Sequence, residues 1–129
     1  MTARRSIHVE GLGHGKQPIP CAARIGPFVA TGGVRGVDPA TGEMPDGVGT
    51  QVALMFRNLR AIVEAAGVAC DDILKVTVWV ADPEARDHVN VEWIAMFPDP
   101  DSRPARHTVA RDLPAGMLVQ CEALAVAGS

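Results

Sequence analysis

The spacing of hydrophobic positions changes along the chain, and each change predicts an element. Val52, Phe56, Leu59, Val63 and Ala66 recur at intervals of four, three, four and three. That is one apolar stripe on a helix of 3.6 residues per turn. Thr50 stands where it could cap this helix, and Gly67 where it would end it. Arg57, Arg60 and Glu64 fall off the stripe, as a solvent face requires. Ile73-Leu74-Lys75-Val76-Thr77-Val78-Trp79-Val80 is rich in β-branched residues and reads as a strand. Asp82 and Pro83 suit the N-cap and first position of a second helix, with Val89, Trp93 and Met96/Phe97 on one face and Pro98 as its stop. Upstream, two short apolar runs at 22–25 and 28–31 flank Gly26-Pro27 as a hairpin. Residues 10–20 read as a loop, and irregular structure is expected to last from the hairpin to about Gly49. Strands near 106–110 and 117–126 close the chain, joined through Leu113-Pro114-Ala115-Gly116.

The predicted order is ββ, α, β, α, ββ. Two helices against one mixed sheet make a two-layer α/β or α+β fold, expected as a single domain over 1–129. The helix between consecutive strands implies a right-handed crossover where those strands are parallel. The last strand alternates, placing Gln120 and Glu122 on one face and Val119, Cys121 and Ala123 on the other. Polar groups on an otherwise apolar strand point to a wet cleft or a subunit interface.

Composition narrows the function classes. The 129 residues are 47% hydrophobic and 21% charged, the balance of a globular chain. Twelve Lys and Arg against 15 Asp and Glu give a net charge of −3, which argues against a protein that binds the nucleic-acid backbone. No apolar run is long enough for a membrane span, and Arg4-Arg5 is not followed by the apolar segment of a secretory signal, so a cytoplasmic protein is expected. Cys21, Cys70 and Cys121 are distant and odd in number, consistent with unbridged thiols. There is no zinc-type Cys or His pair. Tyrosine is absent, and none of Ser6, Ser102 or Ser129 lies in a nucleophile elbow.

Two segments invite chemistry. Gly11-Leu12-Gly13-His14-Gly15-Lys16 resembles a phosphate loop but lacks its Ser or Thr and its flanking strand and helix, so it reads as a flexible loop. His8 and His14 have no partner at metal-ligand spacing and are expected in solvent, as is His88 on the second helix. Arg103-Pro104-Ala105-Arg106-His107-Thr108-Val109-Ala110 is denser. On a strand, Arg106 and Thr108 share a face and His107 points the other way. A fixed Arg can hold a carboxylate through two parallel charge-assisted hydrogen bonds. A structural ion pair, for example with Glu122, is the competing reading.

Four segments together resemble the RidA/YjgF family of reactive imine and enamine deaminases, some of which are labelled endoribonucleases L-PSP. They are Phe28-Val29-Ala30-Thr31-Gly32-Gly33 with Asp38-Pro39-Ala40-Thr41-Gly42-Glu43; Asn58-Leu59-Arg60-Ala61-Ile62-Val63-Glu64-Ala65-Ala66-Gly67; Asp71-Asp72-Ile73-Leu74-Lys75-Val76-Thr77-Val78; and Arg103-Pro104-Ala105-Arg106 through Glu122-Ala123-Leu124-Ala125-Val126. The resemblance covers roughly residues 18–127 and implies a chorismate-mutase-like fold, a homotrimer, and a ligand cleft at each subunit interface. It implies that Arg106 grips the carboxylate of a 2-imino or 2-keto acid, and that backbone groups beside Gly32-Gly33 and at Thr108 hold the reacting end. A last-strand carboxylate would place the attacking water, with no metal or organic cofactor. Here that carboxylate position is Gln120, which can orient a water but cannot act as a base. The usual Ser is Gly32, the usual Gln is Val34, the usual Cys is Thr108, and the amino-terminal Tyr is replaced by Ile19, whereas Asn90 matches.

Three functions follow as expectations. The first is a deaminase for small 2-imino acids or enamines, anchored by Arg106. The second is a trimer of the same fold that binds a small carboxylate without turnover, which the changes at Gly32, Thr108 and Gln120 would favour. The third is an endoribonuclease, which an acidic chain with three Phe, two Trp and no evident catalytic His pair does not support.

Overall fold

A computed structural model describes residues 3–128. Seven strands, β1 (Arg5–Ile7), β2 (Ala22–Ile25), β3 (Phe28–Thr31), β4 (Val34–Arg35), β5 (Ile73–Val80), β6 (Ala105–Ala110) and β7 (Val119–Val126), form one sheet. Its order is β1-β2-β3-β7-β5-β6, with the two residues of β4 also paired to β7. Only β5 and β6 run parallel, so the sheet is mixed. Two helices, α1 (Val48–Ala65) and α2 (Ala85–Met96), pack against one of its faces. The predicted two-layer α+β architecture is the observed one. No helix among the described residues is long and apolar enough to cross a membrane.

The core lies between the helices and one face of the sheet. Val52, Met55, Phe56, Leu59 and Val63 of α1 are buried against Val76, Val78 and Val80 of β5 and Val119, Cys121 and Ala123 of β7. Val89 and Trp93 of α2 join them, as core packing predicted. Trp93 sits edge-on between Phe56 and Phe97, with centroids 6.3 and 4.7 Å away. Cys21 and Cys121 are buried, Cys70 is half-buried, and all three are free. Burial, and secondarily the Glu122 charge, push the Cys121 thiol well above its ordinary pKa.

Two buried amides interrupt the apolar stripe of α1. Gln51 donates through Nε2 to the carbonyls of Pro45 (2.7 Å) and Gly116 (2.8 Å), and its Oε1 accepts from the Leu118 N–H (2.9 Å). Asn58 donates through Nδ2 to the carbonyls of Arg35 (2.9 Å) and Val37 (2.8 Å). Both satisfy backbone groups in loops and at a strand end, a common use for buried amides. They tie α1 to the segments that enter β7 and leave β4.

Several boundaries differ from the sequence-based expectation. The first helix starts at Val48 with Gly47 as N-cap, so Thr50 lies within its first turn. Gly47 is extended, and its carbonyl accepts from Gln51 N (3.0 Å), which makes it the boundary residue although it has no side chain to cap with. Gly67 ends the helix as predicted, at φ +85°. Val68 N bonds the Val63 carbonyl and Gly67 N that of Glu64, a Schellman motif. Asp82 accepts the Glu84 N–H (2.9 Å), but Ala85 N and Arg86 N bond three residues back, so a tight turn precedes α2 and Pro83 is outside it. The final strand begins at Val119, two residues late, because Leu118 N is held by Gln51. β1 and β4, each three residues or fewer, carry no periodic signal and were not expected.

Candidate active site

The parallel register of β5 and β6 sets Val76 opposite Arg106 and Val78 opposite Thr108. Because Val76 and Val78 face the helices, Arg106 and Thr108 also leave the sheet on the helix side, at its β6 edge and beside α2. The Arg106 guanidinium lies 5.0 Å from the centroid of the Trp93 ring. Its Nη2 donates to Oδ1 of Asn90 at 2.7 Å. Asn90 and Trp93 are three residues apart on α2 and so present neighbouring positions to the strand. Arg86, from the first turn of the helix, donates to the Thr108 carbonyl at 3.3 Å. Burial, and then the Arg86 charge, lower the Arg106 pKa, although a guanidinium so placed stays cationic at neutral pH.

The arrangement presents a stiffened cation. The Trp93 ring attracts the Arg106 guanidinium to its face, and one neutral acceptor orients it. Its hydrogen-bonded partner among the described residues is an amide, so its charge is not consumed. Glu122 is not an ion-pair partner: it stands opposite Thr77 on the other face of the sheet. The structural ion-pair reading is thereby removed.

A second cluster occupies that opposite, open face. Gln120 of β7 stands between Arg35 of β4 and Trp79 of β5. Its side chain folds across Gly33, where a Cβ would collide with its Nε2 and lie 3.2 Å from its Cδ. Gly33 leaves open the space this Gln120 conformer occupies, and a side chain there would make the amide swing away. Gly32 donates its N–H to the Cys21 carbonyl (2.9 Å), and its β position is 3.7 Å from the Pro20 carbonyl and 3.9 Å from Nε2 of His14. Ile19, next to Pro20, is half exposed. Arg35 donates through Nη2 to the Gly13 carbonyl (3.0 Å), drawing the 13–20 loop over this end of the sheet. His14 is consequently half-buried against Gly32, not in open solvent as expected, whereas His8 and His88 are exposed.

The sequence-predicted residues therefore fall into two groups. Arg106, Thr108 and Asn90 are together at the β6 edge, Gln120 lies across Gly33 on the open face with Gly32 beside it, and Ile19 is on the adjoining loop next to Pro20. The two groups lie on opposite sides of one sheet, so a single subunit does not bring Arg106 to Gln120. Sequence reasoning missed Trp93 as the platform for Arg106, although its spacing from Asn90 was available. It also missed Arg35, the only charge between Gly26 and Val37. Among the described residues no three His, Cys, Asp or Glu side chains cluster as a metal site would require.

These features define a two-layer α+β protein with an arginine anchor at one sheet edge and a glycine-floored amide on the opposite face. A family model described as endoribonuclease L-PSP matches residues 19–127. The chain is 38% identical over 104 residues to a protein of Escherichia coli named 2-iminobutanoate/2-iminopropanoate deaminase, covering 79% of this chain and 81% of the relative. The YjgF structure of Escherichia coli superposes with a TM-score of 0.85 at 35% identity, covering 95% of this chain and 98% of that one. That of Escherichia coli TdcF with bound serine superposes with a TM-score of 0.87 at 31% identity, covering 96% and 99%. The chain belongs to the RidA/YjgF family, whose model bears the L-PSP description.

Proposed function

We propose that this protein is a deaminase that hydrolyses reactive 2-imino acids, or the enamines in equilibrium with them, to 2-keto acids and ammonia. The observation that carries the reading is the Arg106 anchor, oriented by Asn90 and Trp93, with an amide as its hydrogen-bonded partner among the described residues. Similarity over most of the chain to a protein named 2-iminobutanoate/2-iminopropanoate deaminase supports it.

The reaction needs little machinery. Arg106 takes the substrate carboxylate, and backbone groups at Gly32-Gly33 and Thr108 flank the reacting carbon. The amide of Gln120 orients a water. The water oxygen bonds to the imine carbon, both water hydrogens pass to the nitrogen, and the carbon–nitrogen bond breaks to leave the 2-keto acid and ammonia. No electrons are exchanged, so the reaction asks for no redox cofactor. Orientation alone can contribute several kcal/mol to such a step. The missing carboxylate base costs about 10²–10⁴-fold, which a substrate that already hydrolyses in water tolerates.

Because the two groups of residues lie on opposite faces of one sheet, the complete cleft is formed between copies, Arg106 of one approaching Gln120 of the next. A homotrimer meets that need. The open face carries an apolar groove of about 320 Å³ between Ile25, Phe28, Leu74, Leu124 and Val126. Phe28 is 64% exposed and Leu74 61%, an area suited to burial against a second copy.

Accelerated ammonia release from 2-iminobutanoate generated in situ tests the reading. The alternative, a carboxylate-binding trimer without turnover, is favoured by Gln120 and is selected by tight 2-oxobutanoate binding with no acceleration. An endoribonuclease would bind RNA with affinity falling steeply as salt rises. The acidic chain predicts no such binding, and no nucleic-acid partner is proposed.

A further inference from the structure

The cluster around Gly33 on the open face contains a guanidinium, Arg35, that a monocarboxylic imino acid held by Arg106 would not use. Arg35 is opposite Gln120 in the antiparallel register of β4 and β7, on the open face of the sheet. A carboxylate at 120 would face this guanidinium and neutralise it, whereas the amide leaves the charge in place. Arg35 commits Nη2 to the Gly13 carbonyl, which turns the side chain toward the 13–20 loop that carries His14. His14 lies on that loop in contact distance of Gly32. Burial first, and the Arg35 charge second, lower its pKa, which keeps the imidazole neutral and able to donate one hydrogen bond at pH 7. None of His14, Gly32, Gly33, Arg35 and Gln120 is anionic. Glu122 is the nearest acid along β7, two residues on and opposite Thr77.

We propose that Arg35, with His14 beside it, selects substrates that carry a second carboxylate, namely 2-imino acids with a dicarboxylic skeleton. Arg106 of one copy holds the carboxylate next to the imine carbon, and Arg35 of the neighbouring copy holds the carboxylate at the far end. The inference rests on the deaminase reading and on the shared cleft. The chemistry is unchanged: water adds to the imine carbon, the carbon–nitrogen bond breaks, ammonia leaves, and the product is a 2-keto dicarboxylate. The reaction that supplies this substrate must then either oxidise the α-carbon–nitrogen bond of an acidic amino acid by two electrons or eliminate a β-substituent from a β-substituted one.

The test compares 2-iminoglutarate with 2-iminobutanoate, each made in situ by an amino-acid oxidase, in the wild type and in Arg35→Leu and Arg35→Lys. A charge-assisted contact to a carboxylate predicts a kcat/KM at least about tenfold higher for the dicarboxylate. Arg35→Leu lowers that ratio by about tenfold or more, and Arg35→Lys restores part of it. A wild-type ratio at or below one, or a ratio unmoved in Arg35→Leu, overturns the inference. Calorimetric binding of 2-oxoglutarate and 2-oxobutanoate separates its failure from that of the deaminase reading. Absent turnover with tighter, Arg35-dependent 2-oxoglutarate binding refutes the deaminase and supports the second anion site. Equal binding of the two keto acids sinks the second site whatever the turnover.

Discussion

At the residue scale the account turns on how neighbours set the chemistry of single side chains. Arg106 would be an ordinary surface cation without Trp93 beneath it and Asn90 across from it. Gln120 is set the opposite way, by an absence: with no side chain at Gly33 it can lie flat across the strand. An amide can orient a water but cannot take its proton, so Gln120→Glu is expected to raise the rate of imine hydrolysis. The gain is about tenfold or more, drawn from the range a general base contributes. Arg35 opposite the new carboxylate favours its ionised form, so the gain persists down to mildly acidic pH. Steady-state rates from pH 5 to 8 check this, and an unchanged rate would remove Gln120 from the water-positioning role.

Asn90 and Arg106 were legible as single residues because they match a family pattern. Their mutual contact was not legible, since residues 16 apart in sequence meet only through the parallel pairing of β5 and β6. His14 was misread for the same reason. Nothing near it in sequence announces burial, and it lies beside Gly32 on a loop whose Gly13 carbonyl accepts from Arg35.

At the element scale, long periodic segments were readable and short ones were not. α1, β5 and the inward face of β7 follow directly from their hydrophobic spacing, because burial against a single layer imposes one period on each. β1 and β4 are too short to show a period and exist only because neighbouring strands pair with them. The start of α1 was misplaced because Gly47 offers no side chain as a signal. Gln51 and Asn58 broke the apolar stripe without explanation in sequence, and their roles appear only when the strand carbonyls they bond are in place.

Gln51 is the stronger of these two ties, with three hydrogen bonds to backbone. Gln51→Leu leaves two carbonyls and one N–H unpaired in the interior and is expected to cost about 2–4 kcal/mol. Exposed Arg57→Ala, one helical turn and a half further on, should change stability by less than about 0.5 kcal/mol. Urea unfolding of both checks the contrast, and equal midpoints would show that the amide does not hold the entry to β7.

At the scale of the whole molecule, the fold separates the two halves of the site and leaves an apolar groove on the open sheet face. Both facts ask for another copy of the chain. Arg106→Ala and Gln120→Leu each damage one half only. In mixed trimers, a cleft that takes Arg106 from one chain and Gln120 from the next regains both intact halves. Random assembly of the two variants in equal amounts should therefore restore about a quarter of wild-type activity, from the statistics of a cyclic heterologous interface. Co-refolded variants showing no recovery, with trimers confirmed by light scattering, would place the complete site within one subunit. Sequence alone implied the shared cleft only through family resemblance, because which faces Arg106 and Gln120 occupy depends on the register of strands remote in sequence.

The most direct measurement is hydrolysis of 2-imino acids formed by an amino-acid oxidase, with semicarbazide competing for the imine. Wild-type protein is compared with Arg106→Ala. The account predicts that wild type suppresses semicarbazone formation and that Arg106→Ala loses at least about 10²-fold of this activity, the loss expected for removing a charge-assisted anchor and the orientation it gives. Suppression that survives in Arg106→Ala, or its absence in wild type for both mono- and dicarboxylic imines, would contradict it.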